Sequence, residues 1–400
     1  MKIIKIGIRH NLLYPMMAII FGFFGDLDSI IIQEILHFSN KFIFAAAIFL
    51  SEFIFGSFFY IYQKKLLSIE KHIINKKENI SPIDKYNSIS NKLKRHLLLL
   101  ANSFFVLAEY VIEIYYFPEY AKSLDIRLRS IVTFWLSFFC YFLLKMPVAK
   151  HQKCSLITIF ICLLLMIILE RVFDIIYHKD RSLKFIKIIG LYFIRHIFSA
   201  ILEVSQKYLL DYEFLDPFYI LMIEGIYGFI FINTFYLTVD GKFDTFKKIS
   251  LQHKNNIISL IFLIICLFLY FIFSGGRNVY RLLTNKIYSP MAKTLIDCFF
   301  VPLLIIFYYS IKQDFLIDQK GKQSFPFFIC NLILSIIIVF CNCVYNDLFI
   351  LYCCGLEYNT FNEISARASL KYENGLQLRN NKIEINDGNN YYYYSYEDDE

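Results

Sequence analysis

Repeated apolar runs, separated by polar segments, are the feature that most constrains how this chain can fold. Each of about ten runs approaches the roughly 20 residues that a helix needs to cross a bilayer. A backbone in lipid must satisfy its own hydrogen bonds, so such runs are expected to be helical. The sequence therefore predicts an all-α membrane protein. The predicted spans are 12–35, 43–63, 97–117, 127–148, 154–176, 186–208, 218–238, 256–274, 291–311 and 326–352.

The composition and the charge distribution agree with this prediction. The chain is 57% hydrophobic and 19% charged, whereas soluble domains are about 45–50% apolar and about 25% charged. The net charge of +7 comes largely from the segment Lys64–Arg95, which lies between two apolar runs. A basic segment in that place is typical of a cytoplasmic loop and does not indicate nucleic-acid binding. Both termini are then expected in the cytoplasm.

The motifs of common enzyme classes are missing from the sequence. It contains no H-E-x-x-H, G-x-S-x-G or Walker A pattern, and its ten cysteines form no C-x-x-C pair. We therefore expect no enzyme, no cofactor and no metal site. Cys353 and Cys354 end the last apolar run, where we interpret them as ordinary helix-end cysteines, with palmitoylation as the alternative.

Ionisable residues inside the predicted spans are the most informative, because a charge in hydrocarbon costs several kcal/mol. Glu109 and Glu113 are four residues apart and share one helix face. Two carboxylates so close in a low dielectric cannot both ionise cheaply, which favours proton coupling. The alternative is that one of them lies in water at a helix end, opposite a lysine. Glu203 and Lys207 have the same spacing with opposite charges, which predicts an ion pair within one helix.

The segment "DPFYILMIEGIYG" places a carboxylate beside two glycines. Small residues at Gly225 and Gly228 let another helix approach closely, so we expect a helix-packing face there. Glu224 beside that face is expected either to bond a neighbouring helix or to line a pathway and couple protons. Asp297 lies deep in its predicted span and requires a partner or water.

Four segments, taken together, resemble the nucleotide-sugar-transporter-like branch of the drug/metabolite transporter superfamily, and subfamily F of solute carrier family 35 in particular. They are "KFIFAAAIFLSEF", "LRSIVTFWLSFFCYFLLKMPVAKHQ", "DPFYILMIEGIYG" and "CNCVYNDLF". The positions that match are Glu52, Arg129, Gln152, Pro217, Glu224, Gly225, Gly228, Tyr345 and Asn346. The chain departs from the family at two places. The family has an arginine at the position of Phe300, and it has two glutamates at the positions of Ser205 and Gln206.

The resemblance implies a fold of ten helices in two inverted five-helix repeats. The repeats would be 12–176, which includes the basic cytoplasmic loop 64–96, and 186–352. A cytoplasmic N-terminus, 1–11, would precede them, and a polar, disordered cytoplasmic tail, 354–400, would follow. In such folds the substrate binds near the midplane between the repeats.

The function implied is secondary transport of a small organic solute, nucleotide-sugar-like or another metabolite, across an endomembrane by alternating access, with proton coupling as an option. The resemblance points to a lysosomal or vacuolar membrane first and the Golgi second. The expected partners are the lipid bilayer and a small-molecule substrate, not nucleic acid, and a homodimer is left open. The candidates for substrate binding or coupling are Glu109, Glu113, Arg129, Glu224, Asp297 and Asn346.

The alternative function is that of a multi-pass membrane protein that does not transport. Such a protein would act through protein interactions of its basic loop, 64–96, and its acidic tail. Loss of function on tail deletion, with solute uptake intact, would favour this alternative.

Overall fold

A computed structural model gives the architecture of the chain. It describes residues 4–6, 13–32, 36, 41–74, 89–116, 127–146, 148–177, 182–239, 257–288, 290–312 and 325–351. The segment 75–88 of the predicted basic loop, the cysteines at 353 and 354 and the tail lie outside these residues.

The described residues form eleven helices and one pair of short strands. The helices are α1 Leu13–Ile30, α2 Lys41–Ile74, α3 Ile89–Tyr116, α4 Ile131–Leu143, α5 Lys150–Tyr177, α6 Ser182–Asp211, α7 Pro217–Val239, α8 Ile257–Ile287, α9 Ala292–Cys298, α10 Val301–Lys312 and α11 Phe325–Tyr345. Strand β1, Ile4–Ile6, pairs antiparallel with β2, Phe349–Leu351. Eight helices, all except α4, α9 and α10, are long and apolar enough to cross a bilayer. The chain is thus a multi-pass, all-α membrane protein.

Two prolines set helix boundaries for simple physical reasons. Pro217 occupies the first position of α7, where its missing N–H costs no helical hydrogen bond. Asp216 caps the same helix, because its Oδ1 accepts hydrogen bonds from the backbone N–H groups of Phe218 at 2.8 Å and Tyr219 at 3.3 Å. Pro302 cannot donate a helical hydrogen bond, and the predicted span 291–311 is divided just before it into α9 and α10.

Other differences from the predicted spans concern helix ends. Helix α8 continues to Ile287, thirteen residues beyond the predicted 274, and α11 ends at Tyr345 rather than 352. Helices α2 and α3 extend into the segment 64–96, so much of the basic loop predicted there is helical. Helix α4 begins only at Ile131, after a turn at 129–130.

The helices pack in a regular pattern. Helix α2 packs along α7, α1 along α8, α3 along α6 and α5 along α11. Helix α8 also contacts α2, and α7 contacts α3. Apolar side chains fill the spaces between them, as Leu128, Ile159, Tyr192 and Ile338 do in one buried cluster.

The crossing of α2 and α7 brings two backbones into direct contact. A Cβ atom on Gly225 would lie 2.8 Å from the carbonyl oxygen of Phe49 and 2.9 Å from the Cα of Phe53. A Cβ on Gly56 would lie 2.6 Å from the backbone nitrogen of Met222. Gly228 faces the ring of Phe49 in the same crossing. Only residues without a side chain allow this approach.

Candidate functional site

Four charged side chains from four parts of the chain meet inside the bundle, and we call them the mixed-charge cluster. Arg129, just before α4, donates from Nη1 to Asp26 Oδ2 on α1 at 2.5 Å. Arg277 on α8 donates from Nη2 to Asp297 Oδ1 on α9 at 2.8 Å. Its Nη1 lies 3.9 Å from Asp26 Oδ1, which joins the two pairs into one chain of alternating charge.

The cluster is only partly buried. Arg277 keeps 30% of its side-chain surface exposed and Asp26 keeps 20%. A charged group that faced lipid would cost several kcal/mol, so this exposed surface is best explained by an aqueous space between the helices. Two positive and two negative groups with partly exposed side chains, at the meeting point of α1, α4, α8 and α9, offer donors and acceptors to a polar or charged solute.

A second group of charges lies deeper, and we call it the buried network. Glu203 on α6, 1% exposed, accepts a hydrogen bond from Arg281 Nη1 at 2.7 Å and pairs with Lys293 Nζ at 3.1 Å. Lys293 also donates to Ser199 Oγ at 2.7 Å. Asn285 donates to the backbone oxygen of Glu203 at 3.1 Å. One carboxylate thus holds two cations, from α8 and α9, against α6.

Glu224 is held by two side-chain amides on other helices. Its Oε1 accepts from Asn102 on α3 at 2.7 Å, and its Oε2 accepts from Gln206 on α6 at 2.6 Å. Glu52 on α2 is bonded in the same manner by Asn278 on α8 at 2.7 Å. Of the two roles expected for Glu224, this geometry favours the bond to neighbouring helices.

Glu224→Ala is expected to destabilise the protein, because it leaves the buried amides of Asn102 and Gln206 without their acceptor. An unsatisfied buried polar group costs about 1–3 kcal/mol. Glu224→Gln retains one acceptor oxygen and should lose less. Thermal unfolding of the purified variants in detergent measures both changes, and equal losses in the two variants would contradict the assignment.

The remaining predicted residues are placed differently. Glu109 is partly buried on α3, and its Oε1 is enclosed. The side chain of Glu113 lies outside the described part of the structure. Asn346 follows α11 and donates to Thr294 Oγ1 on α9 at 3.3 Å and to the Asn342 carbonyl at 2.9 Å. Asn346 therefore contacts α9 one turn before Asp297, and it belongs to neither group of charges.

The predicted ion pair between Glu203 and Lys207 is wrong. Lys207 pairs with Asp211, one turn further on, at 3.1 Å, while Glu203 holds Arg281 and Lys293. Lys207 Nζ also donates to the carbonyl oxygens of Asn285 at 2.8 Å and Tyr288 at 3.2 Å, at the end of α8. A lysine at these unpaired carbonyls caps α8, as the helix dipole favours.

Sequence reasoning missed three cations of the site, Arg277, Arg281 and Lys293. The span predicted for α8 ended at 274, which placed the first two in a loop. A signal was present, because Arg277, Arg281 and Asn285 recur every four residues without an intervening proline. Residues with that spacing lie on one face of a helix, so the spacing indicates that the helix continues beyond the apolar run.

A half-buried ion pair ties α3 to the turn between α6 and α7. Arg95 Nε donates to Glu213 Oε2 at 2.8 Å, and this bond holds the pKa of Glu213 below its ordinary value of 4.5. A lowered pKa stabilises the folded state above the pKa of the unfolded chain, and the benefit is lost as pH falls through the folded value.

Acidification is therefore expected to lower the melting temperature slightly less in Glu213→Gln than in the wild type. The effect should be small, since an ion pair that keeps contact with solvent contributes little. Melting curves recorded between pH about 7 and about 3 would measure it, and an identical pH dependence in the two proteins would refute the contribution.

Comparison with known proteins does not assign this chain to a family. A scan against models of protein families and a search of curated proteins both find no match to this chain. The function proposed below therefore depends on the residues and their arrangement.

Proposed function

We propose that the protein is a secondary transporter of a small organic solute, which it moves across an endomembrane by alternating access. The observation that carries this proposal is the mixed-charge cluster. It joins α1 and the start of α4, in the first half of the chain, to α8 and α9 in the second, and its side chains stay partly exposed. A polar site between two halves is what alternating access requires.

The packing of the helices supports an inverted repeat of two five-span halves. If α9 and α10 count as one broken span, α1 to α5 correspond to α6, α7, α8, α9–α10 and α11. Under this correspondence, the contact between α1 and α8 is equivalent to the contact between α6 and α3. The contact between α2 and α8 is equivalent to the contact between α7 and α3, and the contacts α2–α7 and α5–α11 are each equivalent to themselves. All of these contacts are present.

The chemistry of the cluster supports a polar solute that carries charge. Arg129 and Arg277 offer donors to a carboxylate or phosphate group, and Asp26 and Asp297 offer acceptors to an amine or hydroxyl. A nucleotide-sugar-like molecule or another charged metabolite meets this description. The lysosomal or vacuolar membrane, and then the Golgi, remain the locations proposed from the family resemblance.

Uptake into proteoliposomes that contain the purified protein tests the proposal. The panel would comprise nucleotide sugars, nucleotides, amino acids and organic cations, each assayed with and without an inward proton gradient. Saturable uptake of one class is the expected result. Uptake of none of them by protein shown to be folded would contradict transport and favour a role in protein interactions.

Arg277→Gln in the same assay connects uptake to the cluster. We expect uptake to fall at least about tenfold, because Asp297 and Asp26 lose a charged partner and the solute loses a donor. Lys94→Gln is the matched control, since Lys94 is a cation with 55% of its side-chain surface exposed at the end of the bundle. Equal uptake by both variants would show that the mixed-charge cluster does not take part in transport.

A further inference from the structure

Of the carboxyl groups within the described helices, Asp28 and Glu109 each have an enclosed oxygen that accepts no hydrogen bond. The Asp28 carboxyl group is bonded to the Cys266 thiol, whereas none of the described residues donates a hydrogen bond to Oε1 of Glu109. Glu52 and Glu224 accept hydrogen bonds from amides, and Glu203, Asp26 and Asp297 are in ion pairs. Glu109 is thus a carboxyl group that no hydrogen bond or ion pair among the described residues commits to one protonation state.

Charged groups of both signs act on Glu109. The carboxyl group interacts electrostatically with Arg195 and Glu203 on α6, with Arg281 on α8 and with Lys293 on α9. Glu224 on α7 and Glu52 on α2 act on the same Arg281. Burial without a hydrogen bond disfavours a charged carboxylate, whereas the three cations favour it. These opposed effects are what a group that binds and releases a proton requires.

On the basis of the transport function proposed above, we propose that Glu109 is the carboxyl group that binds and releases the coupling proton. Glu52 and Glu224 then serve as structural links between helices. The proton is taken from water onto the Glu109 carboxylate and returned to water on the other side of the membrane.

Competition for shared cations connects this proton to the conformation. Lys293 Nζ lies 3.1 Å from Glu203, which also holds Arg281. A charged Glu109 competes with Glu203 for these cations and draws α3, in the first half of the chain, towards α8 and α9 in the second. A protonated Glu109 no longer competes, which leaves Arg281 and Lys293 to Glu203 on α6. Proton binding therefore changes the attraction between the two halves.

Infrared difference spectroscopy of the full-length protein in lipid tests proton binding without any substrate. The probe is pH alone, and the signal is the carbonyl stretching band of a protonated carboxyl group. In the wild type we expect a band that appears reversibly as pH is lowered and is absent from Glu109→Gln. The matched control, Glu224→Gln, should retain it. Retention in Glu109→Gln with loss in Glu224→Gln would overturn the assignment.

Transport distinguishes a coupling site from a carboxyl group that merely titrates. For the solute class that the panel identifies, Glu109→Gln should lose accumulation driven by an inward proton gradient while exchange of internal for external solute persists. Gradient-driven accumulation that survives in Glu109→Gln would refute the proposal. If the panel finds no transported solute, the proposed function fails, while the infrared result still shows whether Glu109 binds the proton.

Discussion

Glu203→Gln is expected to produce the largest loss of stability of any single charge replacement in the bundle. Glu203 is 1% exposed and neutralises both Arg281 and Lys293. Removal of one partner of a buried ion pair costs about 3–5 kcal/mol, because an uncompensated charge remains. The fraction of protein that remains monodisperse after heating in detergent, compared with the wild type, measures the change.

Two further variants show whether the lost charge, and not the changed side chain, is responsible. Glu213→Gln makes the same chemical change at the end of the bundle, in an ion pair that is less buried than Glu203, and should change thermal stability less. Glu203→Gln combined with Lys293→Met removes one of the two stranded cations. The double variant should therefore lose less stability than the sum of the single ones, by about 0.5–3 kcal/mol of coupling. Simple additivity would show that Glu203 and Lys293 do not interact.

Gly225→Ala is expected to force α2 and α7 apart. The added methyl group would lie 2.8 Å from the Phe49 carbonyl oxygen and 2.9 Å from the Phe53 Cα, and these backbone atoms cannot rotate away. Overpacking of this kind typically costs about 1–3 kcal/mol. The hydrogen bonds from the side-chain amides of Asn102 and Gln206 to Glu224 lie next to this crossing. We therefore also expect uptake of the identified solute to fall.

Gly190→Ala is the matched control for this prediction. Gly190 lies within helix α6, and among the described residues no atom outside its own helix lies within 4 Å of the position that its Cβ would take. The substitution should be neutral or stabilising by up to about 1 kcal/mol, because alanine favours helix more than glycine does. If Gly190→Ala lowered the melting temperature as much as Gly225→Ala, the loss would come from replacing any helical glycine and not from the contact with α2.

The helices themselves could be predicted from the sequence because length and hydropathy are local properties. The ten predicted spans overlap the helices α1 to α11 in order, with the span 291–311 covering both α9 and α10. Helix ends were predicted less well. Helix α8 extends past the apolar run to Ile287 because its polar residues face the bundle, where Glu52 and Glu203 bond them, and not lipid.

The partners of the charges could not be predicted in the same way. Four-residue spacing suggested that Glu203 would pair with Lys207, yet its partners Arg281 and Lys293 are 78 and 90 residues away in the sequence. Spacing identifies neighbours within one helix, whereas an ion pair between helices depends on how the helices cross.

The sequence by itself determined that this chain crosses a membrane many times, because the hydrocarbon core imposes a length and a composition on each span. It also indicated Glu224 and Asp297 as costly charges that need partners. Only the tertiary structure decided what those partners are. It placed Arg277 against Asp297, gave Glu224 to two amides and left an oxygen of Glu109 without a donor among the described residues. These outcomes depend on side chains brought together from distant helices, and no local pattern encodes them.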